Sequence, residues 1–303
     1  MRKRTGFQTE MGKTGLGFQA VTFLIVTLFA VLCLLPFVLL VTGSITSEKE
    51  IIRSGYAVIP KEVSFRSYQV IFENPQEITN AYAVTICVTA VGTVSALFLT
   101  SMTGYVLARQ DFKYRNFFSL LFFFTSLFIA PLVVDYVYTV TVLKLKNNPL
   151  VYILGGLLHV WYVLIMRNFI KGLPDSIVEA AKIDGANDFY IYARIVLPLM
   201  KPVLATVGLF TALGYWNDWA TTMLYIETPR LYNLQYYLYR IMNSTKAIER
   251  MIAMGGTSLS NIELPTQGIK LAMAVVSIGP IILLYPFLQK YFVQGLTIGA
   301  VKG

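Results

Sequence analysis

Asp135, His159 and Asp218 stand inside long apolar stretches of the sequence. An ionisable side chain there is costly unless it faces a protein interior or a watery cavity. Asp218 has informative neighbours: Trp216 and Trp219 offer aromatic faces, and Asn217 and Asp218 offer hydrogen-bonding groups. That combination suits a ligand with an apolar ring face and a rim of hydroxyls, as a sugar has, so Trp216, Asn217, Asp218 and Trp219 are candidates to line a substrate path. A different reading of the same residues stays open, in which Asn217 and Asp218 pair with a neighbouring subunit or cap a break in a helix, and the tryptophans sit at the membrane interface. Asp135 follows Pro131, which places it near the outer mouth of its stretch and makes it a further path candidate. His159 is expected to be a satisfied packing residue.

Catalysis is poorly supplied. The chain has a single histidine, and no His, Cys, Asp and Glu cluster shows metal-ligand spacing, so neither general acid–base nor metal chemistry is expected. Cys33 and Cys87 both fall in apolar stretches, where they act as small apolar residues rather than a disulfide framework. Gly6 to Thr14 approaches a phosphate-binding loop, but five residues separate Gly6 from Gly12-Lys13-Thr14 where four are required, and no strand precedes it. Asn243-Ser244-Thr245 is a glycosylation triplet of a kind common by chance.

The elements that must position these residues are membrane helices. Of 303 residues 56% are apolar and only 14% charged, too apolar for a soluble domain of this size. Six stretches free of lysine and arginine are long enough to span a bilayer: 18–42, 78–107, 117–142, 150–166, 202–226 and 271–288. The first follows Met1-Arg2-Lys3-Arg4 but runs well past the length of a signal core, and so reads as an anchor. Six spans put both termini on one side. With that side cytoplasmic, inside segments carry 14 Lys/Arg and 6 Asp/Glu, against 11 and 8 outside. The net charge of +9 is scattered over loops and makes no continuous basic stripe, so it reads as topology rather than nucleic-acid affinity.

Segments 43–77 and 227–270 then lie outside, the first punctuated by Ile59-Pro60 and Asn74-Pro75 and expected to fold as a cap. A cytoplasmic connection at 167–201 is far longer than the few residues a bundle turn needs. Pro174 suits a first helical position, Asp175 and Glu179 lie in early turns, and Gly185 can take the left-handed conformation that closes a helix. Asn187 or Asp188 can cap a second helix that runs until Pro198 and Pro202 bend the chain into the fifth span. Ala180, Ala181, Gly185 and Ala186 remove bulk at the corner, and Glu179 and Asp184 supply polar handles, which makes a knob able to enter a groove on a partner.

The string Glu-Ala-Ala-x-x-Asp-Gly-Ala followed by Ile-x-Leu-Pro resembles the signature of ATP-binding-cassette (ABC) importer permeases, matched by Glu179, Ala180, Ala181, Asp184, Gly185, Ala186, Ile195, Leu197 and Pro198. Tyr192 stands where that family often has Phe. Arg167-Asn168-Phe169, Tyr215-Trp216-Asn217-Asp218-Trp219 and the terminal segment 289–303 are similar to the carbohydrate-uptake branch that contains the maltose-type permeases.

The resemblance implies an all-α membrane protein of the type I ABC importer permease fold, with a cytoplasmic segment 1–17 and a transmembrane domain 18–303. It also implies that the signature loop enters a cleft on a separate ATPase dimer, which carries ATP and Mg, so that this chain needs no cofactor of its own. The implied partners are a second, homologous permease, an extracellular solute-binding protein, membrane lipid and a sugar or oligosaccharide, with the tail 289–303 reaching the ATPases and no nucleic acid involved. The implied location is the bacterial plasma membrane. Another polar nutrient such as a peptide is the alternative cargo, and an ATP-independent carrier or channel is the alternative engine.

Overall fold

The computed structural model describes residues 16–128, 130–254 and 265–282. The expectations for the tail 289–303, for most of the segment 1–17, for residues 255–264 and for the end of the sixth stretch lie outside the described residues. The chain divides into two compact units, one made of Met1–Ile71 with Thr245–Val276 and the other of Phe72–Ser244 with Ser277–Gly303.

Leu, Phe and Val dominate the first stretch, and it forms one long helix, α1 (Leu16–Ser44). Its spanning portion has a mean hydropathy of 3.1 and none of it is buried within the chain, as expected of a surface solvated by lipid. Beyond it, α2 (Glu48–Ser54) is capped by the Ser47 hydroxyl, and α3 is Arg66–Ile71. The segment between them is tied down by hydrogen bonds. Ser64 N–H donates to the Ile45 carbonyl at 2.8 Å, and the buried Glu50 carboxylate accepts from the backbone N–H groups of Lys61 (2.9 Å) and Glu62 (2.7 Å). Glu48 serves the same unit. Its carboxylate accepts from Gln267 N–H (3.0 Å) and Gly268 N–H (3.1 Å), satisfying orphan donors at the start of the helix that begins at Thr266.

The second unit is built on α4 (Pro75–Ala108), which has Pro75 in its first turn, where a missing N–H costs nothing. Then follow α5 (Arg115–Leu127), α6 (Leu132–Val142), α7 (Leu150–Leu154), α8 (Val160–Lys171), α9 (Asp175–Ile183), α10 (Asp188–Leu199), α11 (Lys201–Trp216) and α12 (Ala220–Tyr225). The chain continues through α13 (Leu234–Ala253) to α14 (Thr266–Ile282).

Among the described residues, only α1 and α4 are unbroken helices long and apolar enough to cross a membrane. The third, fourth and fifth expected spans are interrupted where the sequence supplies a reason. Pro131 stands immediately ahead of α6, the Gly155-Gly156 pair follows α7, and Asn217-Asp218 separate α11 from α12. Between α10 and α11 the axis turns by 82°.

α4 packs along α8 and α11. Gly104 allows the first contact, since a Cβ there would lie 3.0 Å from Met166 Cβ and 3.1 Å from the Arg167 nitrogen. Small residues bring membrane helices together in this way because lipid supplies no hydrophobic drive to separate or join them. The core against which the connection 167–201 rests comprises Tyr105, Met166, Ile191, Tyr192, Val196, Met200, Val203 and Val207.

Candidate functional site

The connection 167–201 folds as two short helices meeting at Gly185. The α9 end is closed by a paired motif in which Gly185 N–H donates to the Lys182 carbonyl and Ala186 N–H to the Ala181 carbonyl, both at 3.0 Å. Gly185 has φ +80°, the left-handed conformation its sequence position led one to expect. Asn187 then caps α10, its side-chain oxygen accepting from Tyr190 N–H at 2.8 Å. Pro174 lies just ahead of α9 rather than within its first turn.

The signature residues divide by burial into two faces. Ala181 is buried, and Ala186, Ile195 and Leu197 pack against the core with Ile191, Tyr192 and Val196. Glu179, Ala180, Asp184, Gly185 and Pro198 are exposed. Beside them stand Ile183, Phe189 and Tyr190, exposed to 86%, 60% and 54%. The corner thus exposes an apolar and aromatic patch beside the carboxylates of Glu179 and Asp184. Pro198 shapes the other side. It has no N–H for the preceding turn, and over Ile191–Val196 the helix is wound more loosely, Leu197 N–H reaching back to the Tyr192 carbonyl.

A charged clasp, which sequence reasoning missed, fastens this corner to α4. At the end of α4 the Arg109 guanidinium grips both oxygens of Asp111, with Nε to Oδ1 at 2.7 Å, and pairs with Asp188 at the start of α10. Lys182 of α9 donates to Asp111 Oδ2 at 2.6 Å, and Gln110 donates to Asp175 Oδ2 at 2.8 Å. The Arg109 hydrogen bond, and then that of Lys182, hold the Asp111 carboxyl well below the usual carboxylate range. Nearby, burial and then the charges of Arg167 and Arg115 push the Lys171 ammonium down. The only hint in the sequence was an acid two residues beyond an arginine at a helix end.

The in-span polar residues separate. A cavity of about 410 Å³ is lined by Tyr152, Gly155, Gly156, His159, Tyr162, Thr211, Tyr215 and Asp218. Two helix breaks create it: the α7–α8 break contributes the glycines and His159, and the α11–α12 break contributes Asp218. Asp218 Oδ1 also accepts from Thr221 N–H at 3.0 Å, so the residue both caps the break and faces the cavity. His159 is exposed there, its ring 4.8 Å from that of Tyr162, rather than packed away.

Of the other path candidates, Trp216 is only 6% exposed and its indole N–H donates to the Ser277 carbonyl at 3.1 Å. Trp219 stacks on Tyr239 with ring centres 4.8 Å apart. Asn217 donates to the Leu213 carbonyl at 3.0 Å and accepts from Gln235 at 3.2 Å, closing α11. Asp135 accepts from the Tyr225 hydroxyl at 3.0 Å and does not line this cavity. Sequence reasoning missed the tyrosines: Tyr215 crosses to the Ile153 carbonyl (3.0 Å), and Gly156 leaves it room, since a Cβ there would lie 2.6 Å from its hydroxyl.

Residues 96–298, which take in both the corner and this cavity, match the family described as binding-protein-dependent transport system inner membrane component. The chain belongs to that family. The permease is 35% identical over 291 residues to Protein LplC of Bacillus subtilis (strain 168), covering 96% of this chain and 97% of that one. It is 34% identical over 287 residues to the polygalacturonan/rhamnogalacturonan transport system permease protein YtcP of the same organism, covering 94% and 98%. Its fold resembles a chain in the crystal structure of a bacterial ABC transporter involved in the import of the acidic polysaccharide alginate, with a TM-score of 0.74, 27% identity and coverage of 91% and 96%. The permease is thus an all-helical membrane component with the ABC importer permease fold, as the signature loop led one to expect.

Proposed function

We propose that this permease is the membrane-spanning subunit of a binding-protein-dependent ABC importer that carries a sugar or oligosaccharide into the cell, with ATP hydrolysed on separate subunits. It crosses the bacterial plasma membrane six times with both termini in the cytoplasm. A second, homologous permease completes the pathway, an ATPase dimer holds ATP and Mg, and a solute-binding protein delivers cargo to the outside segments 43–77 and 227–270.

The observation that carries this reading is the corner at Gly185. Its inner face is anchored in the core, while Ile183, Phe189, Tyr190 and Glu179 stand free in a chain whose family works through partner proteins. Glu179, Ala180, Asp184 and Gly185 present the docking knob. Ala181, Ala186, Ile195, Leu197 and Pro198 hold it in place, so a push on the knob moves the core helices.

The cargo assignment is supported by the cavity. Tyrosine and histidine rings beside Asp218 and Thr211 offer both apolar faces and hydrogen-bonding groups. Trp219 and Asp135 would then stand along the approach to it, with Trp216 and Asn217 shaping the break that presents Asp218. A relative named as a polygalacturonan/rhamnogalacturonan transport system permease and a structural neighbour from a transporter that imports alginate agree with such a cargo.

Reconstitution tests it. The importer, assembled in proteoliposomes with its companion permease, ATPase and binding protein, should take up a labelled oligosaccharide only with ATP present. Uptake of a peptide instead would replace the cargo assignment, and uptake without ATP or ATPase would overturn the mechanism.

A further inference from the structure

We infer that Arg109 is a positioning residue for energy coupling: it locks the two helices of the docking corner to α4, so that a push on the corner reaches the spanning bundle as one rigid displacement. This rests on the proposed importer mechanism.

Leu97, Ser101, Tyr105 and Arg109 recur every four residues and so lie along one face of α4. Every member engages the coupling connection or the helix it feeds. Leu97 lies against Gly208 of α11, where an added Cβ would meet its Cδ1 at 3.1 Å. Ser101 Oγ is 2.8 Å from the Tyr192 hydroxyl, and the Tyr105 ring centre is 5.5 Å from that of Tyr192.

Arg109 finishes the stripe. Its guanidinium lies over the Tyr105 ring at 5.7 Å and joins Asp111 and Asp188. Through Asp111 it also holds Lys182. One side chain therefore ties α4 to α9 and α10 on opposite sides of Gly185.

Geometry and burial distinguish this from an ordinary surface ion pair. Asp111, Asp188 and Lys182 are well exposed, but the Arg109 side chain is only 15% exposed, and its planar fork grips Asp111 through two nitrogens. A surface pair alone would be worth little. A clasp that fixes the relative position of three helices matters for motion more than for stability, because a loosened corner can yield to the ATPase while α4 stays behind.

The test uses the complete importer in proteoliposomes and reads substrate moved per ATP hydrolysed. Arg109→Gln is expected to lower that ratio about fivefold with the protein still inserted and assembled, a change within the range by which single contacts modulate coupling. Arg109→Lys, with charge but no fork, should fall between the two. In the Arg109→Gln background, Gln110→Cys with Asp175→Cys bridged by a short, reducible bis-methanethiosulfonate linker should restore the ratio, and reductant should abolish it again. Arg109→Gln alone, treated alike, controls for Cys33 and Cys87.

An unchanged ratio in Arg109→Gln, equal falls in hydrolysis and transport, or a linker without effect would overturn the inference. If Arg109→Gln fails to assemble, Asp111→Asn takes its place with the same expectation, and failure of both to assemble would make the clasp structural and overturn it too. The unaltered importer keeps the two proposals apart: if it shows no ATP-driven uptake, the importer reading fails before the clasp is at issue.

Discussion

The Tyr192 hydroxyl lies 2.8 Å from Ser101 Oγ in a buried seam between α10 and α4. The Tyr192 hydroxyl, which a phenylalanine would lack, thus has a partner in Ser101. Ser101 is not wholly dependent on it, because its hydroxyl also reaches the Phe98 carbonyl at 3.1 Å. Tyr192→Phe should therefore cost about 1 kcal/mol and leave transport intact, whereas Tyr192→Ala should cost about 3–5 kcal/mol by opening a void in the core. Thermal unfolding of the purified importer measures both.

At Gly185 the backbone rather than the side chain is decisive. With φ +80°, a β-branched residue would cost roughly 1–2 kcal/mol or shift the corner out of shape. Gly185→Val is expected to abolish uptake with membrane insertion unchanged, since the spans carry the insertion signal. Membrane fractionation beside an uptake assay checks this, and loss of the protein from the membrane would show the corner to be structural.

Asp218 has two roles that one substitution separates. Asp218→Asn keeps an oxygen to accept from Thr221 N–H, so the α11–α12 break stays capped, but removes the charge facing the cavity. Uptake should weaken, chiefly as a raised KM, with the unfolding temperature within a degree or two of the parent. An unchanged KM would remove Asp218 from the path.

Asp111 sets a pH expectation. Arg109 first, and Lys182 second, depress its pKa, so its contribution is fully present above the ordinary carboxylate value of about 4 and is lost only as pH falls through the lower folded value. Substrate moved per ATP should thus show no carboxylate titration from Asp111 between about pH 5 and 8. Added salt should erode the coupling instead, because most of the clasp is exposed.

What the sequence made legible was local. The closure at Gly185, the Asn187 cap and the bend after Pro198 each depend on residue types within a few positions, and each formed where those residues stand. The helix breaks were harder to read, because hydropathy sees Gly155-Gly156 and Asn217-Asp218 as interruptions too short to end an apolar stretch. The cavity residues Tyr152 and Tyr215 were missed because tyrosines are common in such spans, and only the packing of Gly156 against Tyr215 reveals the pairing. Trp216, prominent in sequence, is occupied with Ser277. Arg109 escaped notice because its partners Asp111 and Asp188 are brought together by folding.

The central claim is that the corner at Gly185 docks an ATPase. Recovering the tagged permease from its native membranes, unaltered and as Ile183→Asp, tests it most directly, since Ile183 is the most exposed apolar residue of the corner and its loss leaves the core untouched. The account expects an ABC ATPase to accompany the unaltered chain and to fall by about tenfold with Ile183→Asp, roughly the 1–2 kcal/mol or more that placing a charge in an apolar contact costs. Absence of any ATPase from the unaltered sample, or equal recovery with both, would contradict it.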